Sequence, residues 1–278
     1  MKIVFPETLA ALWQARREYP DAPVFAGGTD LFVTLRGKSV QPAALIGLER
    51  LRELNFISAE DNKLVVGAAV CLEELRCHQA LDRLQVLREA LDCFASPPIR
   101  HSATIGGNLC TASPAGDCLP PLYVLDAVVS IAGEAGGREM AVADFITGPG
   151  KTKLAAGEIV TAVTIPLPPP GVVTSFIKVG KRKALAIAVA SLALAAVPLP
   201  NRGLSSVKLA WGSVGPTVIT LPQVEELLTG QPLTEKLLRQ AAAEVSTGVR
   251  PIDDVRASAA YRRQLAGNLL VKVLSFEQ

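Results

Sequence analysis

An α+β architecture is expected for this chain of 278 residues, and three features of its sequence point there. Helix-like and strand-like stretches alternate as far as Ile165. The segment Pro166-Leu167-Pro168-Pro169-Pro170-Gly171 then interrupts any helix or ladder, because proline fixes φ and lacks a backbone donor. Beyond it strand signals come first and helical signals last, the segregation typical of α+β domains.

The elements follow in chain order. A helix is expected after Pro6, with Leu9, Leu12 and Trp13 on one face. Residues 23–26 read as a short buried strand, and Asp30 as the cap of a helical stretch carrying Leu31, Val33 and Leu35. Residues 43–48 form another strand, and 56–58 and 64–70 flank Asp61-Asn62-Lys63 as a hairpin. From 72 to 94, Leu81, Leu84, Leu87 and Leu91 recur at three- and four-residue steps, predicting one helix that stops before Pro97-Pro98. Pro120-Pro121 leads into a helical stretch at 122–126, and 127–132 and 138–142 read as strands around the glycines of 133–137. After the proline segment, 172–179, 187–197 and 207–213 are strands. The apolar run 185–199 follows a basic flank but is shorter than the ~20 residues of a spanning helix, and Pro198 interrupts it. A buried strand explains it, and no membrane insertion is expected.

Composition narrows the function. Aromatic residues are only 5% of the chain and the net charge is +2, with basic residues scattered, so no nucleic-acid footprint is present. Cys71, Cys77, Cys93, Cys110 and Cys118 show no C-x-x-C spacing, and only His78 and His101 could join them, so neither zinc nor an iron–sulfur cluster is supported. An odd cysteine count and no signal peptide at Met1-Lys2-Ile3 fit a reducing cytoplasm. Gly148-Pro149-Gly150-Lys151-Thr152 imitates the end of a P-loop, but Phe145 stands where the first glycine is required.

Two glycine-paired polar stretches carry the chemistry: Val24-Phe25-Ala26-Gly27-Gly28-Thr29-Asp30-Leu31 and the fourteen residues from Thr104 to Asp117, with Gly106-Gly107-Asn108 near their start. Glycine permits positive φ and lets a backbone approach a ligand, and successive N–H groups make an anion-binding concavity. Spacing alone leaves two readings open, ordinary tight turns or one long phosphorylated ligand gripped at two places. The densest basic cluster, Lys178, Lys181, Arg182 and Lys183, likewise reads as a solvated strand end or as part of a site.

These loops resemble those of the FAD-binding subunit of the molybdenum hydroxylases, the family of carbon monoxide dehydrogenase and xanthine dehydrogenase. Ala26-Gly27-Gly28-Thr29-Asp30-Leu31 looks like the first flavin loop, and Thr104-Ile105-Gly106-Gly107-Asn108 with Ser113-Pro114-Ala115-Gly116-Asp117 like the second. Gly157-Glu158-Ile159-Val160, running to Ile165-Pro166, is similar to the strand closing the flavin domain. Phe176-Ile177-Lys178-Val179-Gly180-Lys181-Arg182-Lys183 resembles the opening of the C-terminal domain, and Ala260-Tyr261-Arg262-Arg263-Gln264-Leu265 the terminal helix. Two departures are His101, where a small polar residue is commoner, and Cys110 at an aliphatic position.

The resemblance implies a two-subdomain FAD-binding domain of the PCMH/vanillyl-alcohol-oxidase type, with subdomains at 1–57 and 58–166, and a C-terminal α+β domain at 172–278. It implies that Val24, Phe25, Ala26, Gly27, Gly28, Thr29, Asp30 and Leu31 border the cofactor, the loop amides with those of Gly107 and Asn108 meeting the pyrophosphate. Thr104, Thr111 and Asp117 are then expected near the ribityl chain and ribose, and Gly116 beside the cofactor. Phe94, Ala95, Ile99, Ala103, Cys110 and Val160 would border the ring, with Lys178 supplying a cation. No catalytic acid–base pair and no metal ligand is expected on this chain. The implied function is an electron-transfer subunit taking electrons from a [2Fe–2S] small subunit, beside a molybdopterin large subunit, and passing them to NAD+ or another acceptor. The alternatives are a self-contained FAD-dependent oxidase and a flavin-free assembly subunit.

Overall fold

The computed structural model describes residues 1–37, 41–182 and 185–275; Lys183, of the basic cluster, lies outside them. The chain starts with β1 (Lys2–Val4), α1 (Leu9–Glu18), β2 (Val24–Phe25), α2 (Leu31–Arg36) and β3 (Ala44–Gly47). The three strands form a parallel sheet in the order β1-β3-β2. The Thr8 side chain caps α1, which buries Leu12 and Ala15 against Ala44 and Ile46. Asp30 stands at the N-cap of α2 as expected, but its side chain makes no capping bond. Only Leu35 of that helix is buried, while Val33 is two-thirds exposed.

A second layer comprises β4 (Ile57–Ala59), β5 (Lys63–Gly67), α3 (Leu72–Cys77), α4 (Gln85–Asp92), α5 (Pro97–Arg100), α6 (Ile105–Thr111) and α7 (Leu119–Val124). It continues through β6 (Val128–Gly133), β7 (Gly136–Ala141), α8 (Val142–Phe145), β8 (Ile146–Gly148), β9 (Lys151–Thr152) and β10 (Ile159–Pro166). Its main sheet is antiparallel throughout, in the order β4-β5-β10-β6-β7.

Three expectations are corrected here. The single helix at 72–94 is two α-helices joined by a 3-10 turn at Gln79–Arg83. His78 breaks it with extended backbone (ψ 133) while its Nδ1 accepts from the Ala80 amide. Leu72, Leu75, Leu81, Leu84, Leu87 and Leu91 are all fully buried in one core, so leucine spacing survives the breaks that it conceals. The first half of the second glycine stretch is helix, α6, rather than loop. Helix α7 begins at Leu119 and takes its two prolines into the first turn, where a missing N–H costs nothing.

The third layer is the antiparallel sheet β11 (Val173–Gly180), β12 (Ala188–Pro198) and β13 (Leu204–Gly212), followed by α9 (Pro222–Leu228), α10 (Glu235–Gly248) and α11 (Ala259–Leu274). The apolar run that imitates a membrane segment is the central strand β12, and among the described residues no helix is long and apolar enough to cross a membrane. Trp211 on β13 is fully buried and donates from Nε1 to the Ala266 carbonyl on α11 (3.2 Å). The other face of this sheet joins the second layer: Phe176, Ala193 and Ala210 belong to the same apolar cluster as Leu87, Leu91 and Leu122. The architecture is α+β, strands before helices in its C-terminal part.

Candidate functional site

A cavity of about 1460 Å³ opens between the first two layers and the C-terminal layer. Small-molecule pockets span roughly 300–1,000 Å³, so this one has room for a ligand of dinucleotide size. Every residue expected at the cofactor lines it except Lys178.

The first loop leaves β2 at Phe25. Gly28 has φ +69, which an L side chain rarely adopts. A Cβ at Gly27 would lie 1.6 Å from the Ser102 carbonyl oxygen, so glycine is what lets this loop touch the segment before α6. Among the described residues, the amides of Gly27, Gly28, Thr29 and Asp30 have no protein acceptor. Four open donors in a turn that lines a cavity suit a diphosphate.

The second stretch contributes differently from expectation. At the start of α6 the Ile105 amide donates to Val70 O, Gly106 to Ala68 O, Gly107 to Thr104 Oγ1 (3.0 Å) and Asn108 to Thr104 O. These N–H groups, Gly107 and Asn108 included, are therefore engaged inside the protein. Thr104 serves as a helix cap, and Gly106 is required by contact with Ala68, where a Cβ would sit 2.7 Å from the backbone oxygen. What this stretch holds instead are unpaired oxygens: Asn108 Oδ1 and Asp117 Oδ1 are buried without any partner, in residues whose other atoms line the cavity. Buried polar atoms left unpaired are costly, so two at one cavity mark where a ligand's hydroxyl or amide groups would bond. Cys110 is exposed and lines the cavity.

Lys178 is set behind this wall. Its Nζ donates to Asp117 Oδ2 (2.5 Å) and to the Cys93 carbonyl (3.0 Å), and its side chain is 6% exposed. Burial pushes the Asp117 carboxyl up to about 6 against the opposing pull of Lys178.

Sequence reasoning missed the C-terminal wall. Arg182, Ile187, Ser213, Arg250, Asp254, Arg256 and Arg262 all line the cavity. Arg262 is buried, donating from Nη1 to Val189 O and Ser213 O (both 2.8 Å) and from Nη2 to Asp254 Oδ1 (2.7 Å). Ser213 has φ +65, and its amide donates across the cavity wall to Pro114 O (2.8 Å). No local motif marks these residues, which strand order brings together. Only Arg262, within the terminal-helix resemblance, Arg182, in the basic cluster, and Ile187, at the start of an expected strand, carried any signal.

A charged hub of Glu73, Arg76 and Arg100 lies outside the cavity lining. Glu73 Oε2 accepts from Arg100 Nε (2.5 Å) and Glu73 Oε1 from Arg76 Nη2 (2.6 Å), with Glu73 and Arg100 side chains 12% and 11% exposed. Hydrogen bonds from Arg76, then from Arg100, hold the Glu73 carboxyl at about 2, below its ordinary 4.5. For a depressed carboxyl, stability is present above the unfolded pKa and lost as pH falls through the folded one. Denaturant unfolding should therefore show stability falling between about pH 4.5 and 2, with that slope flattened in Glu73→Gln.

Fold and cavity together define a carrier of a dinucleotide-sized cofactor. Residues 1–168 match the family described as FAD binding domain in molybdopterin dehydrogenase, and residues 175–275 match the CO dehydrogenase flavoprotein C-terminal domain. The chain is 31% identical over 275 residues to the nicotinate dehydrogenase FAD-subunit of Eubacterium barkeri, covering 96% of this chain and 93% of that one. It is 32% identical over 271 residues to the xanthine dehydrogenase FAD-binding subunit of Escherichia coli O157:H7, covering 96% and 92%. A chain of quinoline 2-oxidoreductase from Pseudomonas putida 86 superposes with a TM-score of 0.92 at 26% identity, over 99% of this chain and 95% of that one. The chain belongs to the FAD-binding flavoprotein family of the molybdopterin dehydrogenases, and its cofactor is FAD.

Proposed function

We propose that this chain is the electron-transferring FAD subunit of a molybdenum-containing hydroxylase or dehydrogenase. In this reading it receives electrons from the [2Fe–2S] clusters of a small partner subunit, beside a molybdopterin large subunit, and passes them to NAD+ or another acceptor. The division 1–57, 58–166 and 172–278 is proposed with it. The observation that carries the reading is the cavity, with four open amides on one loop and, in two other residues of its lining, Asn108 and Asp117, a buried oxygen left without a partner.

FAD when bound supplies the redox chemistry, accepting and releasing electrons singly or in pairs. The residues of the chain bind, orient and seclude it. The amides of Gly27 to Asp30 would receive the diphosphate, the Asn108 and Asp117 oxygens would accept from hydroxyl or ring N–H groups, and Phe94, Ile99, Ala103 and Val160 would flank the ring. Lys178 would act through Asp117, which it holds. Three carboxylates on the cavity wall are already in ion pairs: Asp117 with Lys178, Glu158 with Arg138, and Asp254 with Arg262. Apolar side chains at the cavity, Ile187 (53% exposed) and Ile252 (71%), suit burial under a partner subunit.

The chain purified with FAD should be yellow and bleach with dithionite. Co-purification of the native complex should bring iron and molybdenum in the same particle. A colourless chain that docks partners would support the assembly-subunit reading, and substrate oxidation by the chain alone the oxidase reading.

A further inference from the structure

Three cations from three different elements converge on three consecutive residues. Arg76 of α3 reaches Asp92 Oδ1 (3.0 Å), Lys178 of β11 donates to Cys93 O (3.0 Å), and Arg100 of α5 donates to Phe94 O (2.8 Å). The next residue, Ala95, has φ +38, a conformation that a residue with a Cβ holds only when its surroundings impose it. Phe94 and Ala95 line the cavity; Glu73, which anchors both Arg76 and Arg100, does not. The turn is thus tied on one side to a hub outside the cavity and on the other, through Lys178, to Asp117, which lines it.

We propose that Arg100 is a positioning residue: by bridging Glu73 and the Phe94 carbonyl it fixes the strained 92–95 turn as a rigid wall for the flavin. This deepens the FAD reading and rests on it. A guanidinium suits the task because its fork serves two acceptors at once, Glu73 Oε2 through Nε and Phe94 O through Nη1. An ammonium in its place can neutralise Glu73 but cannot span both in the same geometry. A purely structural ion pair would make no distinction at the flavin between folded variants that retain the charge.

The test compares the full-length wild type, Arg100→Lys and Ala95→Gly, all stripped of flavin and titrated with FAD. Affinity, the visible circular dichroism of bound flavin, and the unfolding temperature of the apoprotein are read. Arg100→Lys is expected to weaken FAD binding about tenfold, the scale of one lost charge-assisted hydrogen bond, and to change the visible band. Ala95→Gly keeps all three cations and relieves only the strained φ, so it tests the turn even should Arg100→Lys fail to fold. It is expected to weaken binding several-fold and alter the same band without lowering the unfolding temperature in proportion. A fall in apoprotein stability with affinity and visible spectrum unchanged in the folded variants overturns the positioning role. A wild-type chain that takes up no FAD removes the functional reading itself, a result distinct from wild-type binding that the variants share.

Discussion

Gly27→Ala is expected to strip the purified chain of FAD. The added Cβ would stand 1.6 Å from Ser102 O and 2.4 Å from Ser102 C, both backbone atoms that no rotamer change can move. Either the first loop or the segment before α6 must retreat, and overpacking of this kind costs about 1–3 kcal/mol in stability alone. Retreat also carries the amides of residues 27–30 away from the diphosphate. Each charge-assisted bond is worth about 1.5–3 kcal/mol, so losing two weakens binding by roughly 100-fold or more. Flavin-to-protein ratio after gel filtration and FAD titration both read this. Gly136→Ala is the matched comparison, since Gly136 has φ +142 but open space around it, at the start of β7 beside the turn from β6. That change should cost about 1 kcal/mol of stability and leave affinity alone. An unaltered FAD affinity in Gly27→Ala would remove the first loop from the site.

Lys178→Met should destabilise the chain in a pH-dependent way. Removing one partner of a buried ion pair costs about 3–5 kcal/mol when the other stays charged. Asp117 need not stay charged, because burial already raises its carboxyl from 3.8 to about 6 in the folded chain. A carboxyl raised on folding stabilises the native state through its bound proton, fully below the unfolded pKa, and loses that contribution as pH rises through the folded value. Without Lys178 the carboxyl rises further still. The penalty should thus be small at pH 5, where Asp117 is protonated in both proteins, and approach the full figure at pH 8. Urea unfolding at the two pH values measures it. An equal penalty at both would mean that the lysine matters only through its bond to Cys93 O and its packing.

Much of this molecule was legible in its residues. Alternation and turn chemistry located the hairpin of β4 and β5 and the three C-terminal strands, and the first glycine loop lines the cavity. The second stretch hid its helix because two adjacent glycines argue against one, at about 1 kcal/mol each. The Thr104 cap and the close fit of Gly106 on Ala68 override that propensity, and neither the fit nor the Ala68 acceptor is visible locally. Leucine spacing in 72–94 reports burial in a common core, not continuity of backbone. Lys178 looked like a cofactor cation because sequence cannot reveal that Asp117, 61 positions earlier, meets it first. The Ser213 and Arg262 corner, 49 positions apart, was equally out of reach.

The apolar cluster that runs from Leu87 and Leu122 into Phe176, Ala193 and Ala210 has a mechanical consequence. Rotating the C-terminal part away, as a clamshell opens, would wet this continuous oily seam and snap the Ser213–Pro114 stitch beside it. Loading and release of the nucleotide through the existing mouth of the cavity would leave both the seam and the stitch intact.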